Sequence, residues 1–401
     1  MKKILGIVVI MTILTGVLFA QELRLDGYIN SGLGVVTKEN SDGDNVNSLK
    51  AFGVDSEQNG YRFRLNGSFT NENRNAGIRF RMQSQATLTQ VSGTANDAGA
   101  FAGARATHEF ISFPYMSGWV SFLDNKINIS GGIIEDSAWQ TGDFWLASDS
   151  VNHFAGLGAL LKITPMDGLV IGAGAQTVGR QGGGNNNTLA RNLSNTPELE
   201  DARYSLHFGY TMPDVFRFGL SYKPESDVGG HDTGILYADF RYLGSKDLTA
   251  VVAASLNRLG EDFSDTGEII ISQTFGYRMD DFSLGLNAVQ FLFNAENDDT
   301  GLMFNLWGSY AIGTVVPRLD AVYFVGGNST LNASATTWHR KGFGPSRNSD
   351  VSVLSVRPSV RFNVSSRAHL EIGDMINIDN FGADDGNTLS NSFYIDLRWN
   401  F

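Results

Sequence analysis

Apolar and polar side chains alternate along the last nine residues of the chain, from Phe393 to Phe401. A β-strand sends successive side chains to opposite faces, so this segment predicts a strand with one apolar face and one polar face. The chain stops on an aromatic residue with no polar tail after it, which is typical of the last strand of a transmembrane β-barrel. The apolar positions are Phe393, Ile395, Leu397, Trp399 and Phe401.

The same period of two recurs along the whole chain. We find about eighteen strand-like segments of roughly ten residues, which is the length that a tilted membrane strand needs. In the first of them Leu23, Leu25 and Ile29 share one face, while Arg24 and Asp26 lie on the other. The pattern therefore predicts an all-β protein with an apolar and a polar side to its sheet. A soluble β-sandwich stays open as an alternative at this point.

The connections between these segments alternate between short and long. Short periplasmic turns and long outer loops are the connections of outer-membrane barrels, so the alternation predicts a closed antiparallel transmembrane β-barrel of about 18 strands, with 16 as the alternative. The predicted short turns are Asn71–Asn75, Asp124–Lys126, Pro165–Gly168, Pro213–Val215, Ser245–Asp247, Asp280–Asp281, Gly313–Thr314 and Ser365–Ser366. The predicted long loops are 37–58, 91–106, 136–153, 180–200 and 327–349.

The first twenty residues differ from the rest. Two lysines follow Met1, the stretch from Ile4 to Phe19 is almost wholly apolar, and Ala20 offers a small residue for cleavage. This pattern predicts a secretory signal peptide over residues 1–20, followed by a single barrel domain over 21–401. An uncleaved anchor is the alternative, although the apolar run is short for a spanning helix.

Composition excludes several classes of protein. The 401 residues contain no Cys, which removes disulfides, thiolate metal sites and cysteine nucleophiles. The net charge of −12 argues against a nucleic-acid partner. The six histidines show no metal-ligand spacing, so we expect neither a metal nor a cofactor. Three pairs of neighbouring carboxylates in predicted loops leave a weak calcium alternative, at Asp42/Asp44, Asp298/Asp299 and Asp384/Asp385.

Taken together, the predicted signal peptide, the alternating strands, the turn and loop asymmetry and the terminal aromatic strand resemble the general bacterial outer-membrane porin superfamily. The resemblance is architectural and covers the whole mature chain. It implies an outer-membrane channel for passive diffusion of ions and small hydrophilic solutes, surrounded by lipid and compatible with assembly as a homotrimer. It also implies that the barrel-assembly machinery reads the terminal strand. The acidic loop pattern of enterobacterial porins is missing, so no particular substrate is carried over.

Arginines are concentrated on the predicted inner face at both ends of the chain. Because the last strand of a barrel pairs with the first, we expect them to form one basic arc of the channel wall. Guanidinium groups stay charged at any working pH, and such an arc would orient charged and dipolar solutes. Local pairing with Asp26 or Asp396 is the alternative. The arc consists of Arg24, Arg62, Arg64, Arg79, Arg81, Arg357, Arg361 and Arg398.

The third long loop, 136–153, carries both carboxylates and aromatic residues. In the porin superfamily a long third loop folds into the channel and narrows it, so the resemblance implies that its carboxylates face the basic arc. An ordinary surface loop with packed aromatics remains the alternative. The candidate constriction residues are Glu135, Asp136, Asp143 and Asp149.

Other functions stay open. A surface-exposed barrel acting as an adhesin or antigen is compatible with the long loops. A barrel enzyme would need a histidine with Ser or carboxylate partners, and the sequence shows no such cluster. The arginines argue against a transporter of apolar molecules. A sugar-selective channel would need inward aromatics in a path, for which the candidates are Tyr28, Tyr237, Trp307 and Tyr394.

Overall fold

A computed structural model describes most of the chain. The described residues are 20–39, 45–52, 62–84, 111–136, 154–179, 203–224, 234–260, 263–294, 301–325, 353–379, 381 and 388–401. They form nineteen strands: β1 (Ala20–Glu39), β2 (Asn45–Phe52), β3 (Arg62–Asn71), β4 (Ala76–Ser84), β5 (Ile111–Phe122), β6 (Ile127–Asp136), β7 (Phe154–Ile163), β8 (Leu169–Gly179), β9 (Arg203–Met212), β10 (Phe216–Pro224), β11 (Gly234–Tyr242), β12 (Leu248–Leu259), β13 (Glu268–Met279), β14 (Phe282–Asn294), β15 (Gly301–Tyr310), β16 (Val315–Val325), β17 (Val353–Asn363), β18 (Ala368–Asp379) and β19 (Thr388–Asn400).

Eighteen of these strands close into one antiparallel ring, which confirms the predicted barrel. Each strand of the ring pairs with its neighbours in sequence, and β1 closes the ring by pairing with β19 from Tyr28–Asn400 to Lys38–Ser390. Closure leaves the ring without a free sheet edge, which is the condition for a sheet to lie in hydrocarbon.

The nineteenth strand, β2, lies outside the ring and corrects one prediction. Residues 37–58 were expected to be a loop, but β2 pairs with the second half of β1, from Gly32–Phe52 to Glu39–Asn45. The first half of β1 pairs with β3. The residues of β2 are rich in Asn, Ser and Lys, so their own propensity for strand is low, and the length of β1 provides the pairing that orders them.

The short turns all lie where the sequence predicted them. Each connects two strands of the ring, and all eight lie at one end of the barrel, which we call the short-turn end. Several use residues that tolerate the left-handed conformation, such as Asp214 with φ 60° and Asp280 with φ 47°. The turns are therefore determined by the conformational preferences of their own residues.

The outward face of the ring is apolar. Exposed large hydrophobic side chains occur at alternate positions, as at Leu23 and Leu25 in β1 and at Leu284 and Leu286 in β14. Aromatic residues cluster beside the short turns, where an aromatic girdle meets the membrane surface in outer-membrane barrels. The outward aromatics within three residues of a short turn include Phe122, Phe216, Tyr242, Phe282, Tyr310 and Phe362.

Helix is scarce in the described ranges. One short helix, α1 (Phe263–Thr266), precedes β13. No described helix has the length and hydrophobicity needed to cross a membrane.

Candidate functional site

The pairing register determines which side chains share the inner face. Directly paired residues in an antiparallel sheet lie on the same face, so Tyr28, paired with Arg64 and Asn400, defines the inner face of three strands. Its chain neighbour Ile29 is outward and exposed. The same reasoning extends around the ring. It places on the inner face all the predicted inward arginines whose side chains the structure describes.

The first part of the basic arc lies on β1, β3 and β4. Ser68 pairs with both Arg24 and Arg79, which brings these two arginines to neighbouring positions of the inner wall. Arg81 donates from Nε to Asn66 Oδ1 at 3.0 Å, and Asn66 Nδ2 donates to an oxygen of Asp26 at 2.6 Å. Asp26 is thus linked to the arc through a neutral amide.

Two other members of the arc meet at an aromatic ring. The guanidinium carbon of Arg398 lies 4.4 Å from the centroid of the Tyr28 ring, and that of Arg64 lies 5.3 Å from it. These distances are those of cation–π contacts. Tyr28 therefore holds together guanidinium groups from the last strand and from β3 at the seam where the barrel closes. Arg62 pairs with Asn30 at the end of β3.

The second part of the arc is neutralised by carboxylates. Arg357 Nη2 lies 2.7 Å from Asp320 Oδ2. Arg361 donates from Nε and Nη2 to Glu371 Oε2 at 3.1 and 2.9 Å. The alternative of local pairing thus holds for these two arginines, although with Asp320 and Glu371 as partners. The positive charge of the basic arc is therefore unevenly distributed, because carboxylates offset it on β16 to β18. We call these strands the compensated part of the arc.

Glu371 is the centre of this compensated part. Its residue exposure is only 1%. Besides Arg361 of β17, it lies 3.5 Å from Arg318 of β16, and its Oε1 accepts a hydrogen bond from the Tyr394 hydroxyl of β19 at 3.1 Å. One buried carboxylate therefore links four consecutive strands of the wall.

The predicted constriction loop is described only at its edge. Glu135 and Asp136 are the last residues of β6 and pair with Ala155 and Phe154 of β7. Asp143 and Asp149 lie outside the described residues. That this loop narrows the channel stays a prediction.

The inner face is less polar than the sequence suggested. Inward positions of β6, β7 and β12 to β15 include apolar side chains, and Ile134, Leu160, Val289 and Met303 have exposures of 1% or less. The alternation missed them because several of these strands are apolar on both faces, as in Leu248–Leu259. These enclosed side chains do not line water, and they interrupt the polar inner face of the middle strands.

The predicted inward aromatics do not form a path. The register places Tyr28, Tyr237, Trp307 and Tyr394 on the inner face. Tyr237 and Tyr394 are 1% exposed, and they lie on strands far apart in the ring. A continuous aromatic track for sugars is therefore not formed by these four residues.

The terminal strand forms its predicted outward face. The five apolar positions from Phe393 to Phe401 are all exposed on the outside of the barrel. Phe401 exchanges two backbone hydrogen bonds with Gly27, at 3.0 and 3.2 Å, and its ring lies 6.4 Å from that of Phe63. The last residue thus joins the seam on both its backbone and its side chain. Its recognition by an assembly machinery stays a prediction.

One histidine has a serine partner that the sequence did not reveal. His207 Nδ1 lies 2.8 Å from Ser221 Oγ across β9 and β10. The pair lies on the inner face, in the middle of its strands, and His207 is 7% exposed. A substrate at the membrane rim would not reach it, so the pair gives the enzyme alternative no accessible site. The register of β9 and β10 was the missing signal.

The described residues hold no group of three or more His, Asp or Glu placed to bind a metal ion. The carboxylate pairs that left a calcium alternative, at positions 42 and 44, 298 and 299, and 384 and 385, lie outside the described residues.

Bases outnumber acids on the described inner face, although the whole chain carries a net charge of −12. The charge is therefore segregated, with the wall basic and the excess of acidic residues elsewhere. The inward bases are Arg24, Arg64, Arg79, Arg81, Lys162, Arg217, Arg241, Arg278, Arg318, Arg357, Arg361 and Arg398. The inward acids are Glu22, Asp26, Asp239, Glu268, Asp320, Glu371 and Asp396.

Comparison with known proteins finds likeness in structure only. No protein-family model matches the sequence, and no curated protein matches it. Among solved structures, Acinetobacter baumannii OccAB4 is similar with a TM-score of 0.49 and 10% identity, over 95% of this chain and 99% of that one. A triple mutant of the Rhodopseudomonas blastica porin is similar with a TM-score of 0.45 and 14% identity, over 95% of this chain and 100% of that one. The predicted closed antiparallel barrel of eighteen strands is confirmed by the pairing of the strands themselves.

Proposed function

We propose that the protein is a porin, a channel for passive diffusion of ions and small hydrophilic solutes. The observation that carries this proposal is the closed ring of eighteen strands with an apolar exterior and a basic, hydrogen-bonding inner wall on β1, β3 and β4. A ring of this size is too wide for wall side chains alone to fill, and a polar wall favours water inside it. No cofactor or catalytic group is needed for this function.

The location follows from the same features. An apolar belt on a closed barrel is stable in a bilayer, and a signal peptide over residues 1–20 would deliver the chain across the inner membrane. We place the protein in the outer membrane of a double-membraned bacterium, in contact with lipid. Insertion by the barrel-assembly machinery and a homotrimeric state are parts of this proposal that rest on the resemblance alone.

The first prediction concerns conduction. The purified barrel, inserted into a planar lipid bilayer in potassium chloride, should give stepwise increases in current of uniform size, because each inserted ring adds one water-filled path. Heat-denatured protein in the same detergent is the control. Bilayers that stay electrically silent after insertion has been verified would refute the channel.

The second proposal concerns ion preference. Arg24, on β1, forms an ion pair with Glu22. Arg79 donates from Nε to Ser117 Oγ at 3.3 Å, and Arg81 donates from Nε to an amide oxygen. Arg357 and Arg361, by contrast, contact carboxylates. A wall with excess positive charge raises the local concentration of anions. We therefore assign anion preference to the β1–β3–β4 part of the arc.

Removing these charges should reduce the preference. The variant Arg64→Gln/Arg79→Gln/Arg81→Gln should lower the chloride-to-potassium permeability ratio roughly several-fold, because three cations leave one face of the lumen. Reversal potentials in a salt gradient measure this ratio. The control Arg357→Gln/Asp320→Asn removes one cation together with the anion it contacts and should change the ratio little. Equal ratios for the wild type and the triple variant would contradict the assignment.

A further inference from the structure

Four bases that lie outside the predicted arc face inward beside the short turns. Each is the second residue from the short-turn end of its strand: Lys162 in β7, Arg217 in β10, Arg241 in β11 and Arg278 in β13. Each is flanked in sequence by outward residues, as Arg241 is by Phe240 and Tyr242, which are 46% and 38% exposed. We call these four residues the turn-end bases.

The pairing register brings two of them together. Arg217 pairs directly with Arg241 across β10 and β11. Like charges placed directly opposite one another destabilise a sheet, so this position of the wall favours a nearby anion. Arg278, two strands away from Arg241, extends the basic surface at the same distance from the turns.

One described carboxylate offsets this charge only in part. Asp239 Oδ2 lies 3.7 Å from Arg217 Nη2. Among the described inward residues of β7 to β13, Asp239 is the acid in the half of the wall nearest the short turns, while Glu268 begins β13 at the opposite end. On the inner wall of these strands the four turn-end bases thus outnumber the one nearby carboxylate, on the side facing the basic arc. The adjoining short turns also carry carboxylates, at Asp167, Asp214, Asp247, Asp280 and Asp281.

We propose that the turn-end bases form a binding site for multivalent anions, such as polycarboxylates or phosphate esters, that enter from the short-turn end. The inference rests on the proposed channel, whose mouth it describes. Guanidinium groups present forked donors that match carboxylate and phosphate oxygens. An anion with several charges gains from several bases at once, whereas chloride contacts one at a time. Because the bases lie next to the strand ends, they are the first inward bases that an anion meets beyond the turns.

The test is sided block by citrate. The chain has no Cys, so Asn125→Cys, in an exposed short turn, supplies a unique thiol whose reaction with a membrane-impermeant reagent reports which chamber faces the turns. Citrate added to that chamber should reduce the chloride current at a concentration about tenfold lower than from the other chamber, which is the effect of one moderate binding interaction.

The variant Arg217→Gln/Arg241→Gln/Arg278→Gln should abolish this sidedness. The triple variant of Arg64, Arg79 and Arg81 removes the same number of charges from the facing wall and should retain it. Citrate block that is equal from both sides in the wild type, or unchanged in the Arg217/Arg241/Arg278 variant, would overturn the site.

A silent wild type would separate the two proposals. In that case the proposed channel function is refuted, and binding of anions to the site is measured instead by unfolding of the barrel in detergent. Citrate should raise the unfolding midpoint relative to chloride at matched ionic strength, and the rise should vanish in the Arg217/Arg241/Arg278 variant. A rise of equal size in both proteins would refute the site independently of conduction.

Discussion

Glu371→Gln is expected to lower the free energy of unfolding of the barrel by about 3 kcal/mol. The change removes the buried negative charge of a carboxylate that contacts Arg361 and Arg318 and accepts a hydrogen bond from the Tyr394 hydroxyl. Removing one partner of a buried ion pair leaves the other charge uncompensated in a poorly solvated place, which costs more than the pair contributed. Urea unfolding of the barrel in lipid vesicles, followed by tryptophan fluorescence, measures the loss.

A matched control lies three residues along the same strand. Asp374 is on the outward face, paired with Phe393, and accepts a hydrogen bond from Asn391 Nδ2 at 3.1 Å. Asp374→Asn makes the same chemical change on the apolar side of the wall, where a charge is unfavourable. We expect this variant to unfold at the wild-type urea concentration or a higher one. If both variants lose the same stability, the effect does not come from the Glu371 network.

The ring itself was predictable because its determinants are local. Alternation fixes the two faces of a strand, and residues such as Asp214 and Asp280 mark turns by their own conformational preferences. The strand β2 was missed because its own sequence shows no strand pattern, although its partner β1 has one. Its order comes from the partner and not from its own residues.

The sequence predicted which side chains of the site face inward, but not which partners they contact. The inward direction of Arg357 and Arg361 follows from alternation. Their neutralisation by Asp320 and Glu371 depends on the register between β16, β17 and β18, which the sequence alone does not specify. The turn-end bases had a usable signal, since Arg217 lies between Phe216 and Phe218 at a strand start. The predicted arc contained only bases near the two ends of the chain and did not extend to them.

The uneven arc has a consequence for the channel. Bases on β16 to β18 hold strands together through carboxylates. In the channel that we propose, those on β1, β3 and β4 act on solutes, so that structural and selective roles are divided between neighbouring parts of one wall. Substitutions in the first part should appear mainly as changes in unfolding, and those in the second as changes in permeability.

Gly27→Ala is expected to destabilise closure of the barrel by roughly 2 kcal/mol. A methyl group at Gly27 would clash with the carbonyl oxygen of Arg64 and would lie 2.8 Å from the ring of Phe401. Both contacts are far too short, so β1 would have to move away from β3 and from the terminal residue that exchanges backbone hydrogen bonds with it. The fraction of folded barrel, seen as the fast-migrating band of unheated protein on a denaturing gel, should fall.

Gly118→Ala is the matched control, because a methyl group there meets its nearest atom, the carbonyl oxygen of Gly77, at an ordinary 3.7 Å. Adding Phe401→Ala to Gly27→Ala separates the two clashes. It removes the ring while leaving the Arg64 carbonyl, so a partial recovery would assign part of the cost to the terminal aromatic. Equal folded fractions for Gly27→Ala and Gly118→Ala would show that the seam tolerates a wider spacing, and the close approach at Gly27 would then have no role in closing the ring.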